Sequence, residues 1–328
     1  MFRGRGLGRE LPVAFFAPAP IFQDVSQPLA DDFVAPFQIE GQPVRGRIVR
    51  LGRAVDEILT RHAYPPAVAD LLGEACALTA LVGASLKFEG RLIVQAQGDG
   101  PVAYVVADYD TGGALRGYCR FDPARLAQVC ADGAKPGAGR LLGKGLFVMT
   151  VDPGADMERY QGVTPLEGET LASCAETYFC QSEQTPTRVR LAVGQADVGE
   201  GAHWRVGGLM IQNIAADRAR GPTEEAWTRA QALFATVAED ELIDPTVPAE
   251  TLLWRLFHED GVRRFSPTPL RASCRCSEER IVGVLRVFDA DERIAMVEAD
   301  GRIRVTCEFC SQVYELTPEA VDLKSPRV

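Results

Sequence analysis

The sequence predicts an α+β protein made of an N-terminal domain with a largely antiparallel sheet and packed helices, a helical linker, and a small cysteine-rich C-terminal module. Strand-like runs follow one another through the first 220 residues without regularly alternating helices, which favours antiparallel pairing. The next segment is acidic with helical spacing, and the last segment contains two close pairs of cysteines. We therefore expect a flexible tail at residues 1–25, a core at 26–221, the linker at 222–270 and the module at 271–328.

The composition is that of an ordinary globular chain. Of the 328 residues, 46% are hydrophobic and 24% are charged, and the absence of eighteen uninterrupted apolar residues argues against a membrane span. A short apolar stretch follows three N-terminal arginines, but Pro12, Pro18 and Pro20 interrupt it, which favours a tail over a signal peptide. Nine cysteines, an odd number, would not all pair in a secreted chain, which favours a reducing compartment, the cytoplasm.

The net charge of −10 is distributed unevenly. Nine acidic residues and two arginines lie between Pro222 and Asp260, whereas residues 271–328 hold nine basic and eleven acidic side chains. A nucleic-acid-binding module presents a clustered basic face, because phosphate neutralisation dominates its affinity. The cysteine-rich segment has no such cluster, so we do not expect a nucleic-acid partner.

Helices and strands of the core are predicted from hydrophobic periodicity. Helical spacing occurs at residues 54–62 and 67–86, and the second run is apolar enough to predict a buried helix. The strand-like runs are residues 91–97, 102–109, 146–152, 187–193 and 204–212. Gly98-Asp99-Gly100 indicates a hairpin turn between the first two of them.

The linker shows two apolar stripes at helical spacing. The first comprises Trp227, Ala230, Phe234 and Val237, and the second comprises Leu252, Leu253, Leu256 and Phe257. Packing into a core is the ordinary interpretation, and we favour it for the resting state. A stripe that packs only against a detachable module can also become exposed surface.

The cysteine pairs have the spacing of a metal site. Cys274-x-Cys276 and, thirty residues later, Cys307-x-x-Cys310 provide four thiols, which satisfy a tetrahedral zinc ion without further ligands. The C-x-x-C pair fits the turn of a hairpin, with Ile303 and Val305 leading into it. The C-x-C pair fits a turn before a helix capped by Ser277, because in an extended strand its two thiols converge poorly on one ion. We predict one zinc ion per chain.

Metal binding matters energetically for so small a module. A structural zinc ion contributes roughly 10–16 kcal/mol of apparent folding free energy, so we expect the module to lose its fold when the metal is removed. Each cysteine pair is also close enough in sequence to form its own disulfide, and oxidation would eject the metal. The spacing alone favours an inert zinc ribbon over such a redox switch.

Motifs of other functions fail at particular positions. Residues 137–145 resemble a phosphate loop, but Ala138 replaces its first glycine and Gly145 replaces its Ser or Thr. No G-x-S-x-G sequence is present, and Val262 occupies the second histidine position of a His258-Glu259 metalloprotease motif. We expect no enzymatic activity. The sequence assigns no role to the single cysteines, which are Cys76, Cys119, Cys130, Cys174 and Cys180. We interpret Cys174 and Cys180 as buried structural thiols.

Together with the cysteine spacing, four sequence motifs resemble a known family, the redox-regulated bacterial holdase chaperones of the heat-shock protein 33 family. The resemblance covers nearly the whole chain after the tail. The motifs are Tyr178-Phe179-Cys180-Gln181-Ser182-Glu183-Gln184-Thr185-Pro186-Thr187, Gly207-Gly208-Leu209-Met210-Ile211-Gln212, Leu115-Arg116-Gly117-Tyr118 and Leu256-Phe257-His258-Glu259.

The resemblance implies a cytoplasmic chaperone that is inactive while reduced and zinc-bound, and it reverses the preference for an inert ribbon. It implies that oxidants form Cys274–Cys276 and Cys307–Cys310 disulfides, release zinc and destabilise the linker. Exposed apolar surface then captures unfolding client proteins without ATP, and ATP-dependent foldase chaperones receive them later. The activated form is expected to dimerise. The candidate client-binding residues of the linker are Trp227, Phe234, Leu253, Leu256 and Phe257.

Two alternatives from other classes remain open. A thiol-disulfide oxidoreductase using Cys307 and Cys310 would turn over a disulfide substrate with a reductant, although no βαβ unit precedes the motif. A zinc-ribbon nucleic-acid binder would show salt-dependent binding to DNA or RNA, which the charge balance disfavours.

Overall fold

The computed structural model describes residues 31–323 apart from 86–88, 134, 155–156, 167, 198, 200 and 215–222, and for Thr223 it describes the backbone alone. The tail predicted at residues 1–25 and the predicted helix end at Leu86 lie outside the described residues. The strands are β1 Phe33–Ile39, β2 Val44–Leu51, β3 Arg91–Gly98, β4 Val102–Asp110, β5 Ala114–Phe121, β6 Gly145–Asp152, β7 Tyr160–Pro165, β8 Thr187–Asp197, β9 Ala202–Asn213, β10 Val262–Arg264, β11 Thr268–Pro269, β12 Arg271–Ala272, β13 Ile303–Thr306 and β14 Val313–Leu316. The helices are α1 Arg53–Thr60, α2 Pro66–Gly83, α3 Pro123–Val129, α4 Ala138–Leu142, α5 Leu171–Ser182, α6 Thr223–Phe234, α7 Glu239–Ile243, α8 Ala249–Phe257, α9 Glu278–Leu285 and α10 Ala290–Ala295, followed by a 3-10 helix at Pro318–Val321.

Two large sheets and one hairpin organise these strands. The first sheet has the order β10-β1-β2-β9-β8, with β11 also beside β1, and the second has the order β12-β5-β4-β3-β6-β7. Strand pairs within the described residues are antiparallel except β12 with β5, which run parallel. The α+β class with largely antiparallel sheets is therefore confirmed, and so are the five predicted strands and the hairpin turn after Gly98.

Helix α2 lies between the two sheets and is apolar around its whole circumference. By length and composition it could cross a membrane, but 78% of it is buried inside the protein, as a core helix is. The last residue of the helix is Gly83. A side chain would not fit there, because a Cβ would lie 2.3 Å from the ring of Tyr109 on β4. The predicted buried helix is confirmed.

The linker helices cover the opposite face of the first sheet. Successive residues of β1 point to opposite faces, so Val34 joins the core around α2 whereas Phe33, Ala35, Phe37 and Ile39 face the linker. Trp227, Phe234, Leu253, Leu256 and Phe257 from α6 and α8 pack against them, and each is 9% exposed or less. The core-packing interpretation of both stripes is confirmed.

The end of the linker connects the two sheets in a way that the sequence pattern did not predict. Strands β10 and β11 extend the first sheet at β1, and β12 extends the second sheet at β5 only two residues after β11. The chain that leads to the cysteines is therefore hydrogen-bonded to both sheets. The segment directly before the cysteines thus lies at an edge of each sheet.

Replacing Phe257 by Ala should lower the free energy of local unfolding of α8 by about 3–5 kcal/mol, because the side chain is fully buried and stacks on Phe37 at 5.8 Å. Hydrogen exchange of the α8 amides measures it. Trp254→Ala, one turn away and 60% exposed, is the matched control and should change that free energy by less than about 1 kcal/mol. Equal losses in the two variants would contradict the proposed packing.

Candidate metal centre

The first cysteine pair precedes a capped helix. Cys274 and Cys276 lie in the irregular segment between β12 and α9. The hydroxyl of Ser277 accepts a hydrogen bond from the Arg280 amide at 3.3 Å, and two acidic residues occupy the first turn of α9. The cap makes the chain turn into the helix directly after Cys276, so the predicted position of this pair is confirmed.

The second pair lies on the turn of the β13–β14 hairpin. The amide of Cys307 donates to the Gln312 carbonyl and the Ser311 amide donates to the Cys307 carbonyl, both at 2.9 Å. Ser311 has a φ of 57°, a left-handed conformation that lets the chain reverse. The hairpin and its cysteine-containing turn are as predicted.

The four thiols meet at one place. Their Sγ atoms all lie within 4.8 Å of one another, with 3.7 Å between Cys274 and Cys307 and 3.3 Å between Cys276 and Cys310. A tetrahedron with metal–sulfur bonds of about 2.3 Å has edges of about 3.8 Å, so the donor set fits a metal ion bound by four thiolates. All four residues are partly buried, which shields such a centre without sealing it from small reactants.

The electrostatic environment differs among these thiols. Burial by itself raises the pKa of Cys274, but hydrogen bonds from the Cys276 backbone and from the neighbouring thiols outweigh it and lower the pKa to about 7. Burial raises the pKa of Cys307 and of Cys310. In the absence of a metal ion, Cys274 therefore ionises more readily than Cys307 and Cys310.

The module that carries these thiols has a small apolar core. Among the described residues of the module, the buried hydrophobic cluster comprises Leu285, Ile303, Leu316, Val321 and Leu323. Several large apolar side chains of α9, of α10 and of the segment between them are exposed instead, among them Val287 at 86%. A core of this size leaves the module dependent on another source of stability.

The linker candidates lie apart from the cysteines. Trp227, Phe234, Leu253, Leu256 and Phe257 belong to the apolar cluster under the first sheet, whereas the cysteine module packs in a separate cluster of its own. The sequence interpretation did not identify Asp108, Arg116 and Arg275, which join the module to the second sheet. The arginine enclosed by the C-x-C motif was the available signal for such a contact.

The remaining cysteines occupy different environments. Cys76, Cys119 and Cys174 are buried, Cys130 is partly buried and Cys180 is exposed. The expectation of a buried thiol is confirmed for Cys174 and wrong for Cys180, because the two residues lie on different faces of α5 and the Cys180 face is open to solvent. Burial raises the pKa of Cys76 to about 12 and also raises that of Cys119.

Comparison with known proteins agrees with this architecture. The family model described as Hsp33 protein matches residues 32–317. A protein named 33 kDa chaperonin from Caulobacter vibrioides is 69% identical over 288 residues, covering 88% of this chain and 95% of that protein. A second protein of that name, from Azotobacter vinelandii, is 37% identical over 298 residues, covering 89% and 93% of the two chains.

A solved structure shares the fold. The crystal structure of a 33 kDa chaperonin, a heat shock protein 33 homologue from Thermotoga maritima, superimposes with a TM-score of 0.72 at 24% identity, covering 89% of this chain and 97% of that one. The fold and the cysteine cluster define a protein in which a small four-cysteine module is attached to an α+β core. The chain belongs to the Hsp33 family.

Alkylation of the native, reduced protein should distinguish the single cysteines. We expect Cys180 to react with iodoacetamide at least about tenfold faster than Cys76, Cys119 and Cys174, because burial blocks access of the reagent to those thiols. Peptide mapping by mass spectrometry measures the rates, and alkylation in denaturant is the control that should equalise them. Equal rates in the native protein would contradict the assigned burial.

Proposed function

We propose that this chain is a redox-regulated holdase chaperone that is inactive while its four cysteines are reduced and hold zinc, and that binds unfolding proteins after they are oxidised. The single observation that carries the proposal is the convergence of four thiols in a module with a five-residue buried core. Relatives that match this chain over most of its length are named 33 kDa chaperonins, which supports a chaperone function and gives no reason to expect an enzyme.

Cys274, Cys276, Cys307 and Cys310 are the residues that would hold one zinc ion per chain. Four thiolates on two short turns favour zinc over harder cations, which prefer oxygen ligands. When bound, the ion supplies four metal–thiolate bonds that join two segments lying about thirty residues apart in the chain. The Ser277 cap and the β13–β14 hairpin turn place the two cysteine pairs where their thiols can bind one ion.

Oxidation changes what these side chains can do. Two thiolates, one hydrogen peroxide molecule and two protons give one disulfide and two water molecules, so the four thiolates consume two peroxide molecules. The sulfur atoms are oxidised, the peroxide oxygens are reduced, and neither sulfur of a disulfide remains a thiolate ligand. The resemblance to the family implies the pairs Cys274–Cys276 and Cys307–Cys310.

Loss of the module's fold would release the segment that joins it to both sheets. The residues that would then become accessible are the linker side chains Trp227, Phe234, Leu253, Leu256 and Phe257, together with the face of β1 that they cover. Once exposed, apolar surface of this kind binds the apolar segments of unfolding proteins without ATP hydrolysis. ATP-dependent foldase chaperones would receive these clients after reduction, in the cytoplasm, and the oxidised form would dimerise through the same exposed surface.

The alternative functions have weaker support. An oxidoreductase needs a nucleophilic thiol with a lowered pKa, whereas burial raises the pKa of both Cys307 and Cys310. A zinc-ribbon nucleic-acid binder needs a basic face, and the charges of residues 271–328 are balanced. The holdase proposal accounts for both the cysteine cluster and the covered apolar sheet.

Peroxide treatment should convert the protein from inactive to active in suppressing light scattering by a heat-denatured client. We expect release of one zinc ion per chain and loss of four free thiols in the same sample, because all four ligands are consumed. The matched control is Cys180→Ser, which keeps the cluster and should behave as the wild type.

Disulfide mapping of the active sample then decides the pairing. Peptides linked within each motif are expected, while links between Cys274 and Cys307 or between Cys276 and Cys310, the contacts at 3.7 and 3.3 Å, would contradict the assigned pairs. Equal suppression by reduced and oxidised protein would refute the switch.

A further inference from the structure

The C-terminal module docks on the second sheet through residues enclosed by its own cysteine motifs. Arg275 lies between Cys274 and Cys276, and its guanidinium donates to Asp108 and, at 3.2 Å, to Asp110 on β4. Phe309 lies between Cys307 and Cys310, and its ring contacts β5. Both cysteine motifs therefore contact the neighbouring strands β4 and β5 of the second sheet.

Arg116 on β5 is the side chain that both cysteine motifs share. Its Nη1 atom lies 4.0 Å from the Sγ of Cys274, and its guanidinium carbon lies 3.9 Å from the centre of the Phe309 ring. A cation over an aromatic face is attracted by the negative charge of that face, and a cation beside a thiolate is attracted by its charge. The guanidinium of Arg116 thus contacts Cys274 of the first cysteine pair and Phe309, which lies between the two cysteines of the second pair.

A buried carboxylate holds Arg116 in this position. Asp108 is 4% exposed and accepts a hydrogen bond from Nε of Arg116 at 2.7 Å, while it also accepts one from Arg275. The two arginines come from opposite sides of the interface, one from the core and one from the module. Asp108 therefore fixes the orientation of the core arginine and binds the module directly.

A second group of contacts lies beside this network. The Ser311 hydroxyl lies 3.1 Å from Nδ1 of His62 and donates to the Arg61 carbonyl at 3.3 Å. The ring of Phe309 also packs near Tyr118, with 6.1 Å between ring centres. These neutral contacts add to docking, but they do not depend on the charge of the cysteine cluster.

We propose that Arg116, oriented by Asp108, is the positioning residue that couples the chemical state of the cysteine cluster to the docking of the C-terminal module on the core. This inference rests on the proposed function where it takes oxidation as the trigger. Four thiolates with one divalent cation carry two negative charges in total, whereas two disulfides carry none. Oxidation therefore removes one of the two anionic partners of Arg116, the thiolate of Cys274, and leaves Asp108 as the other. It also reshapes the backbone around Arg275 and Phe309, so the attraction between Arg116 and the module weakens together with the fit.

The docking can be measured at one amide. The Ser273 amide donates to the Leu115 carbonyl on β5 at 2.8 Å, at the point where the module leaves the core. In reduced, zinc-loaded, full-length protein, Arg116→Gln should speed hydrogen exchange of this amide roughly tenfold while the zinc content stays at the wild-type value. Arg275→Gln removes the network from the module side and should have the same effect.

Two further variants separate positioning from general stability. Arg116→Lys keeps the charge but loses the planar group that contacts carboxylate, sulfur and ring at once, so its exchange rate should fall between those of wild type and Arg116→Gln. Arg159→Gln is the matched control, because it removes an arginine that pairs at 3.2 Å with Asp152, another buried carboxylate of the same sheet. It should leave Ser273 exchange unchanged.

The outcomes discriminate between the proposals. Unchanged Ser273 exchange in Arg116→Gln would overturn the coupling role, and so would loss of zinc from that reduced variant, since Arg116 would then act by supporting the ligands. Because these measurements use reduced protein without a client, they do not depend on whether peroxide activates the wild type. A failed holdase assay with a positive exchange result would leave a docking network without the proposed chaperone switch.

Discussion

The convergence of four thiols on one centre is the constraint on which the C-terminal module depends. Two short segments, separated by α9, α10 and the first strand of a hairpin, meet at these sulfur atoms. The module's five buried apolar side chains contribute little next to the conformational entropy that folding removes. In our proposal a zinc–thiolate centre supplies the missing stability, and it does so only while the sulfurs are reduced.

The core has the opposite character, and the contrast between the two parts gives the proposed mechanism its physical basis. Helix α2 is enclosed by two sheets, whereas the linker helices cover the outer face of the first sheet from one side. The segment between the linker helices and the cysteines supplies β10 and β11 to the edge of the first sheet and β12 to the edge of the second. The apolar surface that stabilises the resting state is thus the same surface that the proposed active state presents to clients. In the proposed mechanism, oxidation of the cysteines shifts this surface from internal packing to client binding.

Periodicity predicted α1, α2 and five strands, and it missed other elements for different reasons. Strand β1 was not predicted although it has no charged residue, and Pro36 interrupts its apolar run. Strand β2 was not predicted, because Arg45, Arg47 and Arg50 are spaced irregularly among its apolar residues, although Arg47 and Arg50 are nearly as buried as the core around them. The clustering of the four cysteines was predictable because metal coordination restricts residue type and spacing. The contacts of Arg116 were not, since the Leu115-Arg116-Gly117-Tyr118 motif shows an arginine without showing that Asp108 and the module meet there.

Removing the metal from reduced, full-length protein tests the central claim most directly. Amide exchange is followed at the β13–β14 hairpin and, as an internal reference, in α2. The account predicts that chelation abolishes protection of the hairpin while α2 stays protected, and that added zinc restores it. A hairpin that remains protected in metal-free, reduced protein would contradict the account, because the module would then hold its fold without the centre that four cysteines form.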